Sequence, residues 1–193
     1  MKYLKMLGLA AVAAMSFMAF AANTASATTL EVGGVTTNFP IRLTLSAEQT
    51  LTWARTDGTF LNTCTQSHFR VETLSTTNPV TGPIDTPLTF EKCTRPVTVI
   101  DQGSLELVHI GGTTDGTVFS EETELTTGSP FGTLTCKTGE TTHIGTLTGV
   151  DGSPATHATI DISAVLNCGF LVPSATWKGA YLITSPHGLG VSA

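Results

Sequence analysis

The densest group of ionisable side chains in this sequence is the acidic cluster of Glu121, Glu122 and Glu124. Two carboxylates at a suitable separation catalyse glycoside hydrolysis, one as the acid and the other as the base or nucleophile. Residues two apart in a β-strand share a face, so Glu122 and Glu124 would lie together. The same pattern is typical of a solvated strand edge whose charges prevent edge-to-edge pairing, and we prefer that interpretation.

The histidines stand singly, without the H-x-H or H-x-x-x-H spacing of a local metal site. They are His68, His109, His143, His157 and His187. Surface or turn positions are the simpler interpretation. An enzyme would have to bring dispersed side chains into one cleft and perturb their pKa values there. The candidates for that alternative are His109, His143, His157, Glu122, Glu124 and Asp161.

Two further motifs resemble chemical signatures but differ in detail. The run Gly128-Ser-Pro-Phe-Gly132 departs from the nucleophile elbow G-x-S-x-G, because its serine is one position early and a proline follows it. The Asp-Gly pairs at 57, 115 and 151 lack the D-x-D-x-D array that binds calcium, and they are typical of turns. We therefore predict no catalytic, cofactor-binding or metal-binding residues, and no cofactor.

Trp53 and Trp177 have aromatic faces of the kind that stack on sugars. With so few aromatic residues available to the chain, we instead predict that both tryptophans belong to the core, packed near disulfides.

The N-terminus has the three parts of a signal peptide. Lys2 and Lys5 form a basic region, residues 6–22 are uninterrupted and apolar, and Ala25-Ser26-Ala27 matches the A-x-A cleavage site. We predict residues 1–27 to be a cleaved signal peptide and residues 28–193 to be one exported domain of 166 residues. An uncleaved membrane anchor is the alternative.

Cleavage would remove two of the nine basic side chains and none of the 15 acidic ones, leaving a net charge of −8. Nucleic acids and anionic membrane surfaces require concentrated Lys and Arg, so neither is an expected partner. After signal cleavage no stretch is long and apolar enough to span a membrane as a helix. The predicted location is therefore extracellular, at the cell surface or in the periplasm.

An even number of cysteines in an exported chain predicts two disulfides. The four are isolated rather than arranged as C-x-x-C pairs, which disfavours zinc. They are Cys64, Cys93, Cys136 and Cys168. Of the three pairings, the sequential one, 64 with 93 and 136 with 168, is preferred because of an internal repeat.

That repeat relates the two halves of the chain. Cys64 and Cys136 are 72 residues apart, Cys93 and Cys168 are 75 apart, and Gly103 and Gly179, which begin similar strands, are 76 apart. We predict two related β-units, residues 28–112 and 113–193. Coincidence among similar Thr- and Gly-rich strands is the alternative.

Short alternating apolar and polar runs, separated by Gly, Pro and Asp-Gly turns, predict an all-β fold. We expect a single-domain β-sandwich, or a flattened barrel, of about ten to twelve short and mostly antiparallel strands. Val97–Ile100 and Ser104–Ile110 would form a hairpin, and the proline-rich Ser75–Pro87 a loop. Ala158–Cys168 would be a strand, with a helical turn at Ala164–Asn167 as the alternative.

The second half carries a family resemblance, in the runs LTFEKCTRPVTV, SPFGTLTCKTG and DISAVLNCGFLVPSATWKGAYLITSP. It resembles a family of small secreted bacterial proteins of unknown function, over about the last hundred residues and the signal peptide. A looser similarity, in export signal, cysteine spacing and Gly-led strands, reaches the protein activator of alkane oxidation family. That similarity implies a cell-surface or extracellular-matrix role, and neither family supplies a catalytic residue.

Two functional hypotheses follow. The preferred one is a non-enzymatic exported protein with a binding or structural role in the cell envelope or matrix, acting on an envelope component or by self-association. It predicts exposed Thr-rich sheet faces or an unpaired edge strand. The alternative is a secreted hydrolase with the dispersed site described above.

Overall fold

The computed structural model describes residues 27–37, 40–47, 49–77, 79–153 and 156–193. The predicted signal peptide, residues 1–27, lies outside this part apart from Ala27. The described chain is all-β, which confirms the predicted fold class. Nowhere in these ranges does the chain form a helix that is long and apolar enough to cross a membrane.

The described ranges form fifteen strands, and several are longer than the sequence patterns predict. They are β1 (Thr29–Val32), β2 (Val35–Thr36), β3 (Arg42–Ala47), β4 (Leu51–Arg55), β5 (Phe60–Glu72), β6 (Val80–Cys93), β7 (Val97–Asp101), β8 (Ser104–His109), β9 (Gly116–Glu121), β10 (Glu124–Ser129), β11 (Gly132–Lys137), β12 (Thr142–Thr148), β13 (Thr159–Asn167), β14 (Ser174–Ser185) and β15 (Leu189–Ser192).

Eight long antiparallel strands, which we label A to H in chain order, close into a barrel. Four are single elements: B is β5, C is β6, G is β13 and H is β14. Four are interrupted once: A is β3 then β4, D is β7 then β8, E is β9 then β10, and F is β11 then β12. Both parts of A pair with B and with H, so the first barrel strand joins the last and closes the barrel.

Alternation along each strand builds the core of the barrel. In strand G, Ile160, Ile162, Ala164 and Leu166 are buried, whereas the residues between them are exposed. Strand geometry directs alternate side chains to opposite faces, so a period of two fills the interior with apolar groups and leaves polar ones outside. Each fully buried Leu or Ile contributes about 1.5–3 kcal/mol. The helical alternative at Ala164–Asn167 is wrong, because these residues continue the strand.

The first two described strands and the last one cover one end of the barrel. Strands β15, β1 and β2 form a small antiparallel sheet whose Leu30, Leu189 and Val191 are completely buried. Its backbone bonds to all three loops at that end: the Leu30 N–H donates to the Thr76 carbonyl, the Val191 N–H to that of Thr114, and the Val150 N–H to that of Leu189. We call this sheet the cap.

At the other end of the barrel, strand E packs across onto strand B. The buried Asn62 side chain donates to the Thr127 hydroxyl and to the Arg95 carbonyl, both at 2.9 Å. Its own carbonyl accepts the Arg95 N–H at 2.9 Å. Because the buried Asn62 amide is satisfied only when these groups are in place, it fixes one register between strands B and E.

Two disulfides join Cys64 to Cys93 and Cys136 to Cys168, which is the preferred sequential pairing. The first links B to C, and the second links F to the residue after G. Residues 28–112 supply strands A to D and residues 113–193 supply E to H, so corresponding cysteines occupy corresponding strands. The halves share one barrel, because D pairs with E and H pairs with A.

The predicted hairpin between Val97–Ile100 and Ser104–Ile110 is wrong. β7 pairs with β10, and β8 pairs with β6 and β9, so the two runs follow each other along strand D. Asp101 and Gly103 suggested a reversal, but here they form a kink that keeps the strand direction. The Gly103 N–H donates to the Asp101 side chain at 3.0 Å, with Gly103 at a φ of 65°.

The predicted loop Ser75–Pro87 is also wrong from Val80 onward, where β6 begins. Prolines are tolerated here because each lies where the strand lacks a regular neighbour. Pro83 lies just beyond the Val71–Ile84 pair that ends the ladder to β5. Pro87 falls at an irregularity in the ladder to β5, between the Arg70–Thr86 and His68–Thr89 pairs.

Removing one disulfide tests how strongly these links stabilise the barrel. Cys136 and Cys168 close a loop with a sequence separation of 32, so replacing both with Ala should lower the free energy of unfolding by about 3–4 kcal/mol. Urea titration followed by tryptophan fluorescence measures this. The Cys64/Cys93 double variant, with a separation of 29, is the matched control and should lose a similar amount. A loss below about 1 kcal/mol in both would contradict the account.

Tyr181, the only tyrosine after residue 27, predicts that the barrel loses stability at high pH. Its hydroxyl is completely buried and lies 2.8 Å from the Ser67 hydroxyl. Burial raises the pKa of Tyr181 well above its ordinary value, against a smaller lowering by the Ser67 hydrogen bond. The unfolded chain therefore releases this proton first, and stability should fall as pH rises above about 10, by up to about 1.4 kcal/mol per pH unit.

Urea unfolding between pH 9 and pH 11.5 tests this, compared with Tyr181→Phe, which lacks the ionisable group. All four cysteines are paired, so thiol exchange does not complicate the measurement. The native protein should lose stability more steeply than the variant. Equal slopes would show that Tyr181 ionises as easily in the folded chain as in the unfolded one.

Candidate functional site

The barrel interior is filled with side chains. Two interior cavities lined by described residues measure about 40 and 20 Å³, whereas small-molecule sites occupy about 300–1,000 Å³. Trp53 and Trp177 lie in this core, 0% and 5% exposed, with their rings stacked 6.2 Å apart. This confirms their prediction as core residues, and it leaves neither ring face open for a sugar.

The six side chains considered for an enzyme do not converge on one place. His109 is buried near the cap, 2.8 Å from the Thr113 carbonyl. His143 and Asp161 are exposed on the outside of strands F and G. His157 lies in the loop before G. Glu122 and Glu124 alone among the six come together.

Glu122 and Glu124 line an open surface depression of about 450 Å³, together with Asp101, Glu140 and Lys137. Four of these five residues are exposed, so water has free access to the carboxylates. The depression lies where strand E is interrupted, and Glu122 has a left-handed φ of 56° there. Among the described residues, no three or more His, Cys, Asp or Glu side chains are arranged to hold a metal ion.

A cleft opens in the barrel wall between β6 and β7. The ladder between strands C and D ends at the Pro83–Ser104 pair, and the two strands separate after one more bond, from the Ile84 N–H to the Gly103 carbonyl at 3.4 Å. The cleft between them measures about 370 Å³, and its mixed lining includes the apolar residues Leu88, Phe90, Val97 and Val99 and the polar residues Thr89, Glu91, Thr98 and Gln102. Among the described strands β7 pairs with β10 alone, so its side facing the cleft is a free strand edge.

The backbone groups that face the cleft can be assigned from the hydrogen bonds on the opposite side. The Pro96 carbonyl accepts the Gly128 N–H at 2.9 Å, and the Thr98 carbonyl accepts the Thr126 hydroxyl at 3.4 Å, so both point toward β10. Successive backbone groups of a strand alternate in direction. The N–H and C=O groups of Val97 and Val99 therefore point into the cleft.

The end of the cleft nearest the ladder between β6 and β8 is closed by one side chain. Gln102 follows β7, and its side-chain carbonyl accepts the Leu88 N–H at 2.6 Å. The Leu88 N–H of β6 therefore bonds to a side chain, and not to the backbone of a neighbouring strand.

An exposed apolar turn lies between strands G and H. Phe170 is 97% exposed and Leu171 is 66% exposed. The turn is held by the Cys136–Cys168 disulfide and by the Cys168 N–H, which donates to the Pro173 carbonyl at 3.3 Å. The sequence analysis did not predict that the apolar side chains of this turn are exposed.

The structure also joins two histidines that are 30 residues apart in the sequence. The rings of His157 and His187 have centroids 4.3 Å apart, at an interplanar angle of 63°. Sequence spacing missed this pair, because it forms through the pairing of strands G and H. A prediction that G and H form a hairpin would have placed both near the same end.

Comparison of the sequence with protein-family models, with curated proteins and with solved structures gave no match.

The left-handed φ of Glu122 gives a prediction for the acidic depression. A side chain in this conformation costs about 1–2 kcal/mol that glycine avoids, so Glu122→Gly should raise the free energy of unfolding by about 0.5–1 kcal/mol. Glu140→Gly is the matched control, since it removes a carboxylate from the same depression at a residue without a left-handed φ. Thermal and urea unfolding should show a gain for the first and none for the second. An equal gain in both would assign the effect to charge instead of backbone conformation.

Proposed function

We propose that this protein is an exported, non-catalytic β-barrel that binds an extended segment of a cell-envelope or extracellular-matrix component in the cleft between β6 and β7. The free edge of β7 is the observation that carries this proposal. It supplies the unpaired edge strand expected of a binding protein.

Export is supported by the two disulfides, which are typical of an oxidising compartment outside the cytosol. The signal-type N-terminus and the resemblance to secreted bacterial proteins agree with that location. Within it, the protein would act at the cell surface, in the matrix or in the periplasm.

The chemistry of the cleft favours an extended polypeptide. The backbone groups of Val97 and Val99 provide the donors and acceptors that a strand adds to, and main-chain bonds of this kind give affinity without a deep pocket. The apolar lining accepts side chains at every second position of the added segment. Leu88, 4% exposed, forms part of this lining.

A secreted hydrolase is the second candidate, and the observation that favours it is the shared depression of Glu122 and Glu124. The open access of water to these carboxylates weighs against catalysis that depends on an enclosed site. Glycan hydrolysis by the native protein that is lost in a Glu122→Gln, Glu124→Gln double variant would support this candidate over the first.

A single backbone change tests the cleft. Val99→Pro removes an N–H that faces the cleft and leaves the bonds to β10 in place, so binding should fall at least tenfold, about 1.4 kcal/mol, as expected for a lost strand hydrogen bond. Val99→Ala is the matched control, because it loses similar packing but keeps the N–H. The binding of purified native protein and of each variant to envelope and matrix fractions is compared at equal folded concentration.

The proposal predicts that Val99→Ala keeps most of the binding and that Val99→Pro loses it. Equal binding by native protein and Val99→Pro would exclude the cleft, and loss on Phe170→Ser would then locate the contact at the G–H turn. Retention of no component by the native protein would contradict the binding role itself. A native dimer that Val99→Pro makes monomeric would identify a second copy of the chain as the occupant.

A further inference from the structure

We propose that His157 and His187 form a binding site for a divalent transition-metal ion, at the junction between the barrel and the cap. The sequence predicted no metal ligands, because neither histidine has a second one nearby along the chain. The inference is independent of the cleft between β6 and β7.

The hydrogen bond of His157 leaves one ring nitrogen suited to a metal. Its Nδ1 lies 3.1 Å from the Ile183 carbonyl oxygen. A carbonyl only accepts, so Nδ1 carries a proton, and in the neutral ring Nε2 then holds the lone pair. A backbone carbonyl on one ring nitrogen is the usual arrangement that orients a metal-binding histidine and raises its basicity.

The backbones that carry the two imidazoles are tied together. The Gly188 N–H donates to the Thr156 carbonyl at 3.1 Å, and the Ile183 N–H donates to the Ala158 carbonyl at 2.9 Å. Thr156 and Ala158 are the two neighbours of His157 in the sequence, and Gly188 follows His187. Rotation of the two rings from this arrangement would place one nitrogen of each at about 2.0–2.1 Å from one ion, with the exposed His187 exchanging its present contact for the metal.

The donor set defines the class of ion. Imidazole suits Zn²⁺, Cu²⁺ and Ni²⁺, and among these Cu²⁺ binds a given nitrogen site most tightly. The described residues contain no cluster of three or more His, Cys, Asp or Glu side chains arranged for a metal. Two imidazoles would therefore hold the ion, and water would complete its coordination.

The position of the site predicts a structural effect. His187 lies between strand H and β15, the strand that carries the C-terminus into the cap, and the neighbouring Gly188 carbonyl accepts the Gly33 N–H at 2.9 Å. An ion bound to both histidines would link the cap to the barrel wall. Because the unfolded chain does not hold the two side chains together, binding should stabilise the folded state.

The test uses untagged protein beginning at residue 28, titrated with Cu²⁺ and, separately, with Zn²⁺ by isothermal calorimetry. A thermal melt is recorded at each metal concentration. His157→Gln and His187→Gln remove the ligands one at a time. His68→Gln and His143→Gln are the controls, since each removes an exposed imidazole from another part of the barrel surface.

The native protein should bind one ion, with Cu²⁺ tighter than Zn²⁺, and its melting temperature should rise with metal. Loss of an outer-shell partner alone weakens metal sites by about 10–100-fold, so each ligand variant should lose at least about tenfold in affinity. Both controls should bind as the native protein does. Equal affinity in the native protein and His187→Gln would overturn the proposal, as would an equal loss in the controls.

Discussion

The structure depends on the pairing of its first barrel strand with its last. Strand A lies between B and H and bonds to both along each of its two parts, which removes the edges that an open sheet would expose. Closure also encloses the apolar faces of all eight strands, so one pairing produces both the core and the filled interior. The two disulfides then fix pairs of neighbouring strands on opposite halves of the chain.

One part of the barrel wall is not closed by strand pairing, and it is the surface best suited to interaction with a partner. Strand D bonds to C through β8 but leaves it along β7, so the wall has a cleft lined by both apolar and polar side chains, and a free edge. Evolution usually protects such edges with proline, charge or irregular pairing. On the β6 side of the cleft the Gln102 side chain accepts the Leu88 N–H, whereas no described strand pairs with the Val97 and Val99 backbone on the other side.

The sequence predicted what depends on local pattern and missed what depends on closure. The alternation of Ile160 and Ile162 identified strand G, and the spacing of four cysteines favoured the observed disulfides. The Asp101 to Gly103 kink looked like a reversal, because turn residues do not show whether a strand continues beyond them. The approach of His157 to His187 depends on the register between G and H, which no spacing rule along one chain reveals.

The most direct test of the cleft is the exchange rate of individual backbone amides, measured by nuclear magnetic resonance in the free protein and in its complex with an envelope component. In the free protein, the Val97 and Val99 amides should exchange much faster than that of Thr98, because Thr98 faces β10 and the other two face the cleft. Partner binding should slow exchange at Val97 and Val99 selectively. Equal protection of all three amides in the free protein would show that the edge is already closed, and would contradict the account.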